Sequence, residues 1–179
     1  MLQLEQDIKA AIRNIPDFPK PGINFKDVTP IFKDPALCTR ILEGFSADFE
    51  NKGIDAIVGI ESRGFLFGLA LATRMRLPFI LVRKAGKLPA KTIQLSYALE
   101  YGEATIEIHE DAIEKGWNVL VHDDLLATGG TATAAAQLCE QAGAKVTGFS
   151  FLVDLSFLDG KAVLNKRFPD AEIIGLATY

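Results

Sequence analysis

Two carboxylates stand side by side at Asp123-Asp124, and Ala127-Thr-Gly-Gly-Thr131 follows them closely. A short apolar run, Val119 to Val121, precedes the pair, and an alanine-rich stretch follows the glycines. That order predicts a strand, an acidic pair, an anion-binding turn and the start of a helix. Such a turn offers backbone N–H groups, two threonine hydroxyls and the positive end of a helix to a phosphate. The carboxylates repel phosphate; they suit sugar hydroxyls, or waters on a metal held by a more distant phosphate. An ordinary strand-to-helix connection explains one capping threonine or carboxylate, but not the whole set. The segment therefore predicts a site that holds a sugar phosphate in one orientation. No lysine follows Gly129-Gly130 as in a P-loop, and no G-x-G-x-x-G follows a strand, which disfavours a nucleoside triphosphatase or a dinucleotide oxidoreductase.

Glu61-Ser-Arg-Gly64 admits two readings, a solvated loop with a surface arginine or a second anion site built on Arg63. Two anion sites at neighbouring strand ends would suit a substrate with phosphates at two places. Arg83, Lys84, Lys87 and Lys91 supply the local positive field that a chain of net charge −4 needs for an anionic substrate. Glu100-Tyr101 closes the long stretch from Lys84 to Gly102, which reads as a lid, a hairpin or an assembly element. A carboxylate there is either plain surface or an acid–base group on a closing loop. Neither His109 nor His122 is assigned a catalytic role; if the strand continues, His122 points away from Asp123. No His, Cys or Asp cluster has the spacing of a metal cage, so no protein-held metal is expected.

These loops need a scaffold. The length of 179 residues, with 49% hydrophobic and 23% charged residues, predicts one globular domain. Leu4, Ile8, Ala11, Ile12 and Ile15 follow helical spacing, and three prolines between Pro16 and Pro21 end that helix. Asn24 to Ile31 reads as irregular, and Asp34-Pro35 as the cap and first turn of a helix running to about Asn51. Short apolar runs at Ala56–Ile60, Phe79–Val82, Val119–Val121, Lys145–Val153 and Glu172–Leu176 predict strands, with helices between several of them. Thr105–His109 alternates as a further strand. The pattern is α/β, a mainly parallel central sheet flanked by helices, with ligands beyond the carboxyl ends of the strands. Net charge speaks against nucleic acid and anionic membranes as partners. Cys38 and Cys139 lack disulfide-scaffold spacing, and the first residues lack a signal-peptide pattern, so a cytoplasmic protein is expected.

Taken together, these segments resemble the type I phosphoribosyltransferases, whose motif for phosphoribosyl pyrophosphate is similar to the stretch from Val119 to Thr131. Five further segments are similar to the members of that family that act on adenine. They are Pro16-Asp-Phe-Pro-Lys-Pro-Gly-Ile, Lys26-Asp-Val-Thr-Pro, Ser62-Arg-Gly-Phe-Leu-Phe-Gly, Arg83-Lys-Ala-Gly-Lys-Leu-Pro and Ser96-Tyr-Ala-Leu-Glu-Tyr-Gly. The resemblance implies transfer of a phosphoribosyl group to adenine, giving AMP and pyrophosphate with Mg²⁺ held mainly by substrate, in purine salvage. It also implies a homodimer in which Arg83 reaches the partner's pyrophosphate. By the same resemblance, Asp123 and Asp124 hold ribose hydroxyls, and Ala127, Thr128, Gly129, Gly130 and Thr131 cradle the 5′-phosphate. Ser62, Arg63, Arg83 and Lys84 take the pyrophosphate. Asn24, Phe25, Lys26, Arg63 and Leu125 surround the base, and Glu100, Tyr101 and Arg63 are catalytic. Residues 1–34 would form a base-recognition segment and 84–102 a mobile catalytic loop over the site. Family members usually carry arginine at the position of Lys26 and an apolar residue at that of Asn24. Two other functions remain open: transfer to hypoxanthine, guanine or xanthine, and a non-catalytic sensor of phosphoribosyl pyrophosphate.

Overall fold

A computed structural model of the chain describes residues 2–98 and 102–179. The first helix, α1 (Leu2–Ala11), buries Ile8 and stops earlier than its apolar spacing predicts. Ile15 belongs instead to a strand, β1 (Arg13–Pro16), which pairs antiparallel with β2 (Asn24–Asp27), bringing Ile15 opposite Phe25. The stretch from Asn24, expected to be irregular, thus begins as half of a two-stranded ribbon and continues as a 3-10 turn at Thr29–Lys33. Local periodicity could not reveal this, because the ribbon is closed by the proline-rich loop between its strands. In that loop Asp17 Oδ1 accepts from the Gly22 N–H at 2.7 Å.

Helix α2 (Pro35–Phe49) starts as the sequence predicts, with the Asp34 side chain accepting from the Leu37 N–H at 3.0 Å. Leu37, Ile41, Phe45 and Phe49 bury one face at four-residue spacing, and the helix ends before Asn51, whose φ of 68° is left-handed.

The remaining strands are β3 (Ala56–Ile60), β4 (Phe79–Lys84), β5 (Thr92–Ala98), β6 (Glu103–His109), β7 (Asn118–Leu126), β8 (Lys145–Asp154) and β9 (Glu172–Thr178). They form one sheet in the order β5-β6-β4-β3-β7-β8-β9. The block from β4 to β9 is parallel, and β6 and β5 add antiparallel at its edge. Helices α1, α2 and α3 (Gly64–Met75) cover one face through Ile8, Ile41, Phe45, Phe67 and Leu71. The other face carries α4 (Gly130–Gln141) and α5 (Gly160–Arg167), through Ala135, Leu138 and Leu164.

Two differences from the sequence reading matter for function. Strand β7 does not end at Val121: it runs through the acidic pair, Asp123 opposite Phe151 and Leu125 opposite Val153. The carboxylates are therefore fixed by a sheet ladder, not carried on a loop. The excursion after Lys84 takes the hairpin form among those considered: β5 pairs with β6 continuously from Thr92↔His109 to Ala98↔Glu103. Glu100 and Tyr101 lie outside the described residues.

Candidate active site

The carboxyl ends of β3, β4 and β7 open into a cleft of about 440 Å³. Asp123 and Asp124 line it from β7, Glu61, Ser62 and Arg63 from the exit of β3, Arg83 and Lys84 from the end of β4, and Tyr97 from the hairpin. The two anion loops predicted separately thus share one space. A smaller hollow of about 90 Å³ adjoins it, lined by Asp123 and by Leu125 through Ala132.

The small hollow lies at the turn expected from the sequence to bind phosphate. Gly129 caps α4 with φ 82°, a left-handed conformation suited to glycine, and Gly129 to Ala132 at the helix start line the hollow. Its outer wall is the start of α5: a Cβ on Gly160 would lie 2.1 Å from the Ala127 carbonyl oxygen. Only a residue without a side chain lets the two backbones meet there.

The acidic pair is electrostatically tense. Burial raises the Asp123 carboxyl well above its ordinary range, and the charge of Asp124 pushes it in the same direction. Asp123 Oδ1 accepts from the Asp124 N–H at 2.8 Å, while the Asp124 carboxylate accepts from Arg63 Nε in an ion pair. Burial works to lower the Arg63 guanidinium, but its bond to Asp124 and the charges of Asp124 and Asp123 outweigh that and raise it. Sugar hydroxyl donors or a cation entering the cleft would relieve the remaining repulsion between the carboxylates.

Beside it stands a second ion pair. Arg83 donates to Glu61 through Nε at 3.1 Å and Nη2 at 3.3 Å, and Glu61 also accepts from the Lys84 N–H at 3.0 Å. The Arg83 bond chiefly holds the Glu61 carboxyl below its usual range. Glu61 was not singled out in the sequence as a partner of Arg83, since the two are distant in the chain. The Glu61-Ser62 peptide is cis.

The β1–β2 ribbon meets the cleft at Arg63. The Arg63 guanidinium carbon lies 5.7 Å from the centre of the Phe25 ring, and Phe18 packs edge-on against the same ring at 5.2 Å. Lys26, the next residue along the strand, turns away: its ammonium donates to Asn14 Oδ1 at 2.6 Å and lies 4.2 Å from the centre of the Tyr179 ring. The Lys26 side chain therefore does not stand with Phe25 and Arg63; only its backbone does. Asn24 is exposed, and Leu125 is half-buried beside the phosphate turn.

Tyr97 was missed. Its hydroxyl donates to Thr131 Oγ1 at 3.2 Å, tying the hairpin to the phosphate turn. His122 is fully buried beneath the acidic pair, edge-on to Phe45, with Nδ1 2.8 Å from Ser150 Oγ. Burial pushes it down to about 3, so it is neutral and has no path to the cleft.

A parallel sheet whose strand ends bring an acidic pair, a phosphate turn and paired arginines into one cleft defines a protein that binds a phosphorylated sugar bearing a second anionic group. Residues 27–171 match the phosphoribosyl transferase domain family. An adenine phosphoribosyltransferase of Sorangium cellulosum is 52% identical over 164 residues, covering 92% of this chain and 82% of that protein. The crystal structure of adenine phosphoribosyltransferase from Thermoanaerobacter pseudethanolicus has a TM-score of 0.91 at 46% identity, covering 97% of this chain and 99% of that one. The Saccharomyces cerevisiae enzyme, complexed with adenine and an imino-altritol bisphosphate, has a TM-score of 0.90 at 41% identity, covering 98% and 99%. The chain belongs to the adenine phosphoribosyltransferases of the phosphoribosyl transferase domain family.

Proposed function

We propose that the protein transfers the 5-phosphoribosyl group of phosphoribosyl pyrophosphate to adenine, releasing AMP and pyrophosphate, as a cytoplasmic enzyme of purine salvage. The observation that carries this reading is the single cleft in which Asp123-Asp124, the phosphate turn, Arg63, Arg83 and Lys84 converge. Ala127 to Thr131 bind the 5′-phosphate, and Asp123 and Asp124 accept from the ribose hydroxyls. Ser62, Arg63, Arg83 and Lys84 neutralise the diphosphate. Adenine stacks beside Phe25, between the ribbon backbone at Asn24 to Lys26 and Leu125; the choice of base is supported by the yeast relative's complex with adenine.

In the reaction the purine nitrogen forms a bond to the anomeric carbon as the bond to the diphosphate oxygen breaks. Charge develops on the sugar ring and on the leaving group, so positioning and electrostatic stabilisation dominate over a protein nucleophile. The guanidiniums stabilise the departing diphosphate, and the carboxylates hold the ribose still. Glu100, with Tyr101 beside it, accepts or returns the purine proton at N7; this role rests on the resemblance and the sequence.

The donor set fits a cation that shares its coordination with substrate oxygens. Among the described residues no three His, Cys, Asp or Glu side chains converge to cage a metal, while Asp123 and Asp124 stand ready to accept from its waters. When bound, Mg²⁺ supplies charge neutralisation to the diphosphate.

A homodimer is part of the proposal. Leu66 and Leu69 are 52% and 55% exposed on one stripe of α3, and Leu81, 37% exposed, lies two residues before Arg83 in β4. Leu81 shares its strand with Arg83, which lines this chain's own cleft, and a second copy of the chain would cover these exposed leucines. Both cysteines are free thiols, in keeping with a reducing compartment, and among the described residues no helix is long and apolar enough to cross a membrane.

The deciding experiment compares turnover of adenine, hypoxanthine, guanine and xanthine with phosphoribosyl pyrophosphate and Mg²⁺. Adenine should be strongly preferred. Equal use of another purine would overturn the base assignment, and no turnover of any base would overturn the enzyme reading.

A further inference from the structure

Glu107 is 1% exposed in β6, flanked by the buried apolar residues Ile106 and Ile108. A buried carboxylate without partners is severely destabilising. This one is saturated with donors. Oε1 accepts from the N–H groups of Lys87 and Leu88, both at 2.8 Å; Oε2 accepts from Gln94 Nε2 at 3.0 Å and Thr92 Oγ1 at 3.3 Å. Burial works to raise its carboxyl, but the backbone N–H groups of Leu88, Gly86 and Lys87 and the Gln94 amide outweigh it and hold it below the usual range.

The donors come from two places. Thr92 and Gln94 lie on β5, across the antiparallel ladder. Gly86 to Leu88 form the loop that leaves β4, turning at Gly86 with φ 79°. That loop is in turn bonded to the cleft: the Lys87 carbonyl accepts from Arg83 Nη1 at 3.1 Å, while Glu61 takes the other edge of the same guanidinium. Arg83 is thus gripped on two sides, and one grip is anchored by Glu107 inside the sheet.

We propose that Glu107 is a positioning residue for the diphosphate half of the site. It touches no substrate; it fixes the Gly86–Leu88 loop so that Arg83 and Lys84 face the cleft in one orientation. The inference rests on the proposed assignment of Arg83 and Lys84 to the diphosphate. Glu107 is too far along the chain from the loop it holds for spacing to have revealed it, yet it is the reason that the loop's backbone donors are satisfied.

The test separates the two halves of the substrate. Binding of inorganic diphosphate and of ribose 5-phosphate, each with Mg²⁺, is measured by calorimetry on the full-length protein and on Glu107→Ala, alongside KM for both substrates. Glu107→Ala should weaken diphosphate binding and raise KM for phosphoribosyl pyrophosphate by ~10-fold, the scale of losing about one hydrogen bond to a charged group. Ribose 5-phosphate binding and KM for adenine should stay within about twofold, because the phosphate turn and the ribbon are built on other strands. Glu107→Gln keeps an acceptor oxygen toward Lys87 and Leu88 and should lose less than about threefold. If Glu107→Ala does not fold, Glu107→Asp, charged but one methylene short, should show the same selective loss. Equal weakening of diphosphate and ribose 5-phosphate, no change in either, or a loss in Glu107→Gln as large as in Glu107→Ala would overturn the proposal. Calorimetry keeps it apart from the reading of the reaction: a wild-type protein that binds diphosphate but turns over no purine fails the latter alone.

Discussion

The two anion-binding halves of the cleft are built on opposite plans. The phosphate turn and its acidic pair come from one unbroken stretch, Asp123 to Thr131, rigidly backed by the β7–β8 ladder and by α5. The diphosphate half is assembled from the exit of β3, the end of β4, the hairpin and a buried carboxylate, with partners such as Glu61 and Arg83 lying 22 residues apart. The first half is stiff because its chain is continuous and its walls are backbone. The second is held by side-chain bonds that a substrate can replace one at a time. In the proposed reaction, which retains the sugar and releases the diphosphate, the rigid half would hold what stays and the exchangeable half what leaves.

Removing the charge of the rigid half should have the largest effect. Asp123→Asn with Asp124→Asn should lower kcat/KM by at least ~10³-fold, about 4 kcal/mol of transition-state stabilisation. Relief of the repulsion within the pair offsets loss of the Arg63–Asp124 ion pair, so Tm should change little; a steep fall in Tm would mean that the carboxylates serve the fold instead. Gly160→Ala comes next. With its Cβ 2.1 Å from the Ala127 carbonyl, the turn must shift, and KM for phosphoribosyl pyrophosphate should rise ~10- to 100-fold on the 1–3 kcal/mol scale of overpacking. If inorganic diphosphate binding weakened as much as ribose 5-phosphate binding, the two halves would not be separable.

Acid offers a third probe, aimed at the floor beneath the acidic pair. His122 titrates at about 3 in the folded protein and near 6.5 when unfolded, so only the unfolded chain takes up its proton between those values. Its contribution to stability is complete above pH 6.5 and declines as pH falls, by about 2 kcal/mol from pH 7.5 to 5. Asp123, raised when folded, works in the opposite sense. Urea unfolding of wild type and His122→Val at both pH values isolates the histidine: wild type should lose that much more than the variant. Parallel behaviour would show that the histidine is not shielded from solvent.

The smallest effect is expected at the seam. Tyr97→Phe removes the hydroxyl that joins the hairpin to Thr131, and KM for phosphoribosyl pyrophosphate should rise about three- to fivefold, one neutral hydrogen bond's worth. No change would leave the hairpin independent of the phosphate turn.

The same contrast explains what could be read in advance. Asp123 to Thr131 was legible because its groups are consecutive and each residue type has a local reason to be there. Arg63 and Arg83 were visible as basic residues, but their carboxylate partners were not, since those contacts form only when β3, β4 and β7 are laid side by side. Tyr97 and Glu107 were hidden for the same reason, 34 and 20 residues from what they hold. Among the elements, the strands of the parallel sheet were found by their apolar runs. The β1–β2 ribbon was not, because Ile15 also fits a helical stripe and its true partner, Phe25, lies across a proline loop. The extension of β7 through two aspartates escaped because charged residues disguise a strand that the neighbouring ladder enforces.

One consequence of the Arg63–Asp124 ion pair concerns inhibitors. Arg63, proposed for the diphosphate, and Asp124, proposed for the ribose, already satisfy each other, so a compound that engages only one of them strands its counterpart in a half-buried setting. A compound carrying just an anion, or just a diol, forfeits much of what it gains. The geometry instead rewards a single scaffold with both features, spaced so that the guanidinium and the carboxylate are separated and each receives a replacement at the same moment.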